Sequence, residues 1–262
     1  MRLWMIGCGN MGGAMLRRWI ETGAVAAGDV DVVNRGDRAL PEGVRQARTL
    51  PAGPVPDVVL LGMKPQQIND IAARFAGQIA GAPLLISILA GVDEAALAGR
   101  FTAGAIVRAM PNLPVGIGKG VVGLQSASAG PDARAAVAAL MAPLGLVEWV
   151  EAKLFDAVTA LAGSGPGFLY RFIDALAAGG VALGLPADQA QRMAVATVEG
   201  AGLMAAASAD SPAALADRVA SPGGSTREGL NVLDRDEALA ALLRETLVAS
   251  ARRNAEMAAA AR

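Results

Sequence analysis

Leu3-Trp4-Met5-Ile6-Gly7-Cys8-Gly9-Asn10-Met11-Gly12 is the stretch on which the fold turns. Four apolar residues, enough for a strand, run directly into Gly-x-Gly-x-x-Gly, and the residues beyond, Gly13–Ile20, have helix character. Strand, glycine turn and helix in that order form the dinucleotide-binding fingerprint. Gly7 permits the tight turn, Gly9 lets the backbone approach a pyrophosphate, and Gly12 lets the helix pack close to the strand. Asn10 and Met11 occupy the variable places, where free N–H groups and the helix dipole favour an anion. A glycine turn without function is the alternative, and the strand-to-helix context argues against it. Cys8 reads either as a small, weakly polar filler or as a thiol whose oxidation would block the pyrophosphate site.

Moving outward, the end of the second strand chooses between the nicotinamide cofactors. An NAD enzyme usually carries a carboxylate there for the ribose hydroxyls. Here the segment is Asp31-Val32-Val33-Asn34-Arg35-Gly36-Asp37-Arg38, with neutral Asn34 at that position. Arg35 and Arg38 suit a 2′-phosphate, so NADPH is expected, with NADH as the weaker cofactor. Asp31 and Asp37 oppose that field, and a solvated charged turn is the competing interpretation.

The first half of the chain alternates. Apolar runs at Leu3–Ile6, Val30–Val33, Val58–Leu61, Leu84–Leu89, Ala105–Val107, Gly120–Leu124 and Leu146–Val150 are separated by helical or loop segments such as Gln67–Ala80 and Ala133–Ala142. Short apolar runs without polar alternation indicate strands buried on both faces, as in a parallel sheet joined by right-handed crossovers. From Glu151 the character changes to helix, with Leu169, Phe172, Ile173 and Leu176 at helical spacing. The expected architecture is an α/β Rossmann-type dinucleotide-binding domain over 1–150 and an all-helical domain over 151–262. The helices of the second part are rich in Ala and Gly, which leaves each little apolar area of its own to bury. A second subunit would supply the missing contacts; a self-sufficient monomeric bundle is the alternative.

Composition removes whole classes of chemistry. Among 262 residues there is no His and one Cys, which excludes imidazole catalysis, His-ligated metal, an internal disulfide and a Cys-rich zinc site. No metal is expected. Lys+Arg numbers 23 and Asp+Glu 24, so no basic excess points to nucleic acid or an anionic membrane. The uncharged stretch from Phe75 to Val92 includes Gly77, Gln78, Gly81, Pro83, Ser87 and Gly91, so it reads as a buried strand rather than a membrane span. The apolar run at the start is too short for a signal peptide, and a soluble cytoplasmic protein is expected.

Two glycine-rich pieces lie in the helical half. Gly163-Ser164-Gly165-Pro166 leads into a helix with Pro near its first position. In Ser221-Pro222-Gly223-Gly224-Ser225-Thr226-Arg227-Glu228, Ser225 and Glu228 have capping-box spacing. Ordinary helix starts would explain either piece alone. Together with Met63-Lys64-Pro65-Gln66, Ser87-Ile88-Leu89-Ala90-Gly91 and Arg108-Ala109-Met110-Pro111-Asn112, they make the chain resemble the Δ1-pyrroline-5-carboxylate reductase family over nearly its whole length.

The resemblance implies NADPH-dependent reduction of L-1-pyrroline-5-carboxylate, a cyclic imine, to L-proline, the last step of proline biosynthesis. It implies homodimers, or multiples of them, interlocked through the helical domain. It places Thr226 at the ring nitrogen as the catalytic contact. Ser164, Gly165, Gly224 and Ser225 would hold the substrate carboxylate, and Lys64, Pro65, Met110, Pro111 and Asn112 would line the cofactor. Leu113, Gly167-Phe168 and Ser225 depart from the family's common residues and bear on the shape of the pocket. Lys64 and Arg108 are expected at strand ends, either contacting ligand or forming ion pairs. Arg227 is read as attracting anions or as a surface charge of the turn. The alternatives are reduction of another cyclic imine and a non-catalytic nucleotide-binding regulator. Alcohol oxidation in the manner of β-hydroxyacid dehydrogenases is disfavoured, because Lys64, Lys119 and Lys153 all precede the Gly163 loop.

Overall fold

The computed structural model describes residues 1–260 and divides into two compact units, Met1–Pro166 with the chain from Ala249 onward, and Gly167–Val248. The first unit is built on eight strands: β1 Leu3–Ile6, β2 Val30–Val33, β3 Arg45–Ala47, β4 Val58–Leu61, β5 Ala82–Ser87, β6 Ala103–Pro111, β7 Gly120–Gln125 and β8 Gly145–Trp149. Its helices are α1 Asn10–Glu21, α2 Ile68–Ile79, α3 Glu94–Ala98, α4 Pro131–Met141 and the single turn α5 Phe155–Val158.

The sheet order is β3-β2-β1-β4-β5-β6-β7-β8, so the chain winds outward in one direction from β1 and in the other from β4. Every residue of β1 is buried, and alternate residues enter different cores. Leu3 and Met5 pack with Met15, Leu16 and Trp19 of α1, while Trp4 and Ile6 pack with Ile68, Phe75 and Ile79 of α2. That two-sided burial explains the unbroken apolar runs. Trp19 is fully buried and donates from Nε1 to the Leu140 carbonyl at 2.7 Å, tying α1 to α4. Truncating such a residue to Ala costs about 3–5 kcal/mol.

Two features differ from the sequence expectation. β3, Arg45-Gln46-Ala47, has no apolar pattern; it is an exposed edge strand held by parallel pairing to β2. β6 and β7 pair antiparallel, the one break in an otherwise parallel sheet. Residues 112–119 link them, through a 3₁₀ turn, Leu113–Ile117, and left-handed Gly118, too short a connection for a parallel crossover.

The second unit contains α6 Gly165–Ala182 from Gly167, α7 Ala187–Ala207, α8 Pro212–Val219, α9 Ser225–Asp234 and the part of α10 Ala238–Ala260 up to Val248. Its buried hydrophobic residues are alanines: Ala190, Ala194 and Ala220. Its large apolar side chains lie open, with Phe172 at 46% exposure, Leu203 at 52% and Leu242 at 61%. Taken alone, this unit has no side-chain core of its own.

Candidate active site

The strand order reverses between β1 and β4, and their carboxyl ends open the crevice where doubly wound sheets bind ligands. Two glycines make that junction possible. A Cβ on Gly7, at φ +87°, would stand 2.5 Å from the Met63 nitrogen, and one on Gly62 would stand 2.5 Å from the Gly7 carbonyl oxygen. No side chain fits between these backbones. By contrast, a Cβ on Gly9 would meet nothing within 4 Å, so the turn faces open space at the place where a pyrophosphate must approach.

Gly9 is the N-cap of α1 and carries no side-chain cap. The first backbone bond of the helix runs from the Gly13 N–H to the Gly9 carbonyl at 2.8 Å, which leaves the N–H groups of Asn10, Met11 and Gly12 ahead of it. Such a terminus favours an anion. The turn itself is anchored: the Gly7 N–H donates to the Val33 carbonyl and the Cys8 N–H to Asn34 Oδ1, both at 2.8 Å. Asn34 also donates from Nδ2 to Gln46 Oε1 at 2.8 Å. A buried amide at the end of β2 is thus committed to holding the glycine turn against β3.

A cleft of about 660 Å³ lies over this junction. Gly7, Gly9, Asn34, Arg35, Arg38 and Lys64 line it, and so do Arg48 and Arg74, which the sequence reading missed. Arg48 follows the polar edge strand that the hydrophobic pattern did not reveal. Arg74 stacks 4.8 Å from the centre of the Phe75 ring; its signal was the helical spacing Ile71, Arg74, Phe75 on one face of α2. Arg35 pairs loosely with Asp70 at 3.4 Å, while Arg38 forms no ion pair among the described residues. Asp31 is engaged by Arg45 at 2.6 Å outside the cleft lining. Burial pushes the Cys8 thiol up, against the opposing fields of Arg17 and Arg38. Cys8 is 2% exposed and lies in the cleft wall.

Pro65, Met110, Pro111 and Asn112 are not part of this lining. Pro65 opens a 3₁₀ turn closed by Gln67, whose Oε1 accepts from the Lys64 N–H at 3.2 Å. Asn112 is 6% exposed and its amide is fully engaged: Oδ1 accepts from the Val121 N–H at 2.8 Å and Nδ2 donates to the Ala162 carbonyl at 3.0 Å. Ala162 belongs to a π-helical turn, Thr159–Gly163, directly before Ser164 and Gly165. A Cβ on Gly163 would stand 3.4 Å from the Met110 side chain, so Met110 and Asn112 together support this turn. Ser164 shares a hydroxyl bond of 3.2 Å with Ser250.

Arg108 is corrected from a strand end to the interior of β6, opposite Gln125. It is 8% exposed, lies 3.9 Å over the Phe155 ring and donates to Gln125 Oε1 at 3.4 Å. Burial lowers its pKa, offset by the fields of Asp156, Asp93 and Glu94. Its role is to brace α5 against the sheet.

In the helical unit, Gly224 rather than Ser225 is the N-cap of α9, and no side chain caps it. The anticipated Ser225–Glu228 capping box is therefore absent, because Ser225 is already the first helical residue. Gly224 spends its own N–H on the Ser221 carbonyl at 2.9 Å, closing the turn through left-handed Gly223. The N–H groups of Ser225, Thr226 and Arg227 precede the first helical bond, from the Glu228 N–H to the Gly224 carbonyl. Thr226 is exposed and its hydroxyl has no partner among the described residues. Arg227 pairs with Asp217 at 2.7 Å.

A doubly wound sheet with a glycine turn at its switch point and a cation-lined cleft beside it defines a nicotinamide-dinucleotide oxidoreductase, here carrying a helical association unit. Residues 152–257 match the family model for pyrroline-5-carboxylate reductase dimerisation, and residues 2–91 match that of NADP oxidoreductase coenzyme F420-dependent proteins. A pyrroline-5-carboxylate reductase from Synechocystis is 37% identical over 98% of both chains. The structure of a pyrroline-5-carboxylate reductase from Coxiella burnetii superposes with a TM-score of 0.88 at 29% identity, covering 98% of each chain. The Plasmodium falciparum enzyme, solved with NADP bound, has the same fold, with a TM-score of 0.85 at 22% identity and 98% coverage of each chain. The chain belongs to the pyrroline-5-carboxylate reductase family. Among the described residues, no helix is long and apolar enough to cross a membrane.

Proposed function

We propose that this chain reduces L-1-pyrroline-5-carboxylate to L-proline with NADPH, the last step of proline biosynthesis. The observation that carries this reading is the cleft. Five cations, Arg35, Arg38, Arg48, Lys64 and Arg74, and the anchored glycine turn line it against a single carboxylate, Asp37. A dinucleotide bearing a 2′-phosphate fits that charge balance and the open space at Gly9. When bound, the nicotinamide supplies the hydride that the imine carbon accepts.

The protein's own contribution is positioning. The N–H groups of Asn10, Met11 and Gly12 hold pyrophosphate, and the cations at the end of β2 hold the adenosine end. An imine protonated on nitrogen already carries the proton that appears in the amine, so no titrating side chain is required. This is consistent with a sequence that lacks His. The Thr226 hydroxyl is assigned to the ring nitrogen, and Ser164, Gly165, Gly224 and Ser225 to the substrate carboxylate, Gly224 by closing the turn that leaves the Ser225 N–H open. The functional division falls after residue 150, with the helical part forming a homodimer or a multiple of it, in the cytoplasm.

The test is NADPH oxidation with pyrroline-5-carboxylate beside its six-membered analogue. Turnover with the five-membered imine is expected. A folded protein that reduces only the six-membered ring would replace the substrate assignment, and one that binds NADPH but reduces neither would favour a regulator.

A further inference from the structure

Asp37 is the only carboxylate among the residues lining the cleft, and it stands on the loop that follows β2, between Arg35 and Arg38. It is not left to act on a ligand alone. Arg48, directly after β3, reaches it, Nη2 to Oδ1, at 3.1 Å. The same guanidinium donates from Nη1 to the Asn34 carbonyl at 3.2 Å. Arg48 is therefore aimed by the end of β2, and Asp37 is the more exposed partner, its side chain 87% exposed against 50% for Arg48.

We propose that the Asp37–Arg48 pair is this chain's selector between NADPH and NADH; the inference rests on the cofactor reading above. With Arg48 over it, the carboxylate is masked and the basin presents net positive charge to a 2′-phosphate. With Arg48 turned away or lost, the same carboxylate repels that phosphate and offers an acceptor to the ribose hydroxyls of NADH. An exposed pair of this kind is weak by itself, so it opens without disturbing the fold. Its effect on a doubly charged 2′-phosphate held in this cleft would be larger, because both of the ligand's charges would meet it. Arg48 acts here as a positioning and masking residue rather than as the principal phosphate ligand, a role left to Arg35 and Arg38.

The distinction is testable by equilibrium titration of NADPH and NADH, followed by nucleotide fluorescence, on the full-length protein and without substrate. Arg48→Ala should weaken NADPH binding about tenfold and leave NADH unchanged or tighter. Asp37→Asn should tighten NADPH about threefold and weaken NADH. The decisive arm is the double variant Arg48→Ala/Asp37→Asn, which should recover NADPH binding to within about threefold of wild type, since there is no longer a carboxylate to mask. A double variant as weak as Arg48→Ala would overturn the proposal, because Arg48 would then be a direct phosphate ligand. Equal losses for both cofactors would overturn it too, by reducing the pair to a structural tie. Failure of the substrate assignment would show separately, as a wild-type protein that binds NADPH but does not turn over the imine.

Discussion

Replacing Asn112 with Ala tests how the sheet and the Ser164 loop are joined. Both ends of its buried amide are spent, on the Val121 N–H at 2.8 Å and on the Ala162 carbonyl at 3.0 Å. Truncation leaves a strand donor and a π-turn acceptor without partners. Each such group costs about 1–3 kcal/mol, and because neither site is fully sealed from water the sum is expected near 2–4 kcal/mol. For a chain of this size that corresponds to a fall in melting temperature of roughly 4–16 °C at fixed protein concentration. The kinetic signature separates support of the loop from contact with cofactor. Since the Asn112 amide is spent at both ends on the protein's own backbone, NADPH affinity should stay within about twofold, while kcat/KM for the imine falls at least tenfold as Ser164 and Gly165 lose their support. Scanning calorimetry, NADPH titration and steady-state kinetics on one preparation suffice. An unchanged melting temperature would refute the bonding argument, and NADPH binding weakened as much as turnover would return Asn112 to the cofactor contacts.

Thr226→Ala removes an exposed hydroxyl that caps nothing, so it should cost about ten- to a hundredfold in kcat/KM with NADPH binding preserved, and Thr226→Ser should retain most activity; wild-type kinetics in the Ala variant would mean the substrate is placed wrongly. Arg35→Ala/Arg38→Ala should raise the KM for NADPH far more than that for NADH, and equal effects would remove these arginines from the 2′-phosphate. Sedimentation at low micromolar concentration should show a dimer or a multiple of it, because the helical unit buries only alanines; a stable, active monomer would contradict this. Burial holds the Cys8 thiol above its ordinary range. The stability gained by keeping it neutral is therefore complete below that range and lost as pH rises through the raised value. Alkylation of the native protein should lag behind that of the unfolded chain at neutral pH and be slowed further by NADPH, and equal rates would show the site to be open.

What could be read from the sequence was whatever is written in apolar runs and glycines. β1, β2 and β4 fall where their runs fall; β1 and β4 are buried at every residue and apolar throughout, and β2 breaks its run only at half-buried Asp31. The glycine turn was legible because its backbone geometry tolerates nothing else at Gly7. β3 was invisible, being a polar edge strand defined by pairing rather than burial, and Arg48 was hidden with it. The extension of β6 to Pro111 and its antiparallel turn depend on the length of one connection, which hydropathy does not encode. The Ser225–Glu228 spacing pointed to a cap, but Gly224 takes that position because the turn through Gly223 closes one residue earlier than the motif implies. Arg108 read as a strand-end residue contacting ligand or forming an ion pair; only the three-dimensional packing reveals the aromatic ring beneath it.

A helical unit that buries alanines and leaves leucines and phenylalanine bare makes the supply of the protein part of its folding. A newly made chain that has not met another copy would present this apolar surface to chaperones and proteases, so its lifetime in a cell is expected to rise with its rate of synthesis. It also means that a copy crippled at the glycine turn, but intact from Gly167 onward, keeps its association surface. Expressed beside the normal gene product, it would be incorporated into shared assemblies and protected by them, and its effect would be read as dominance rather than as simple loss.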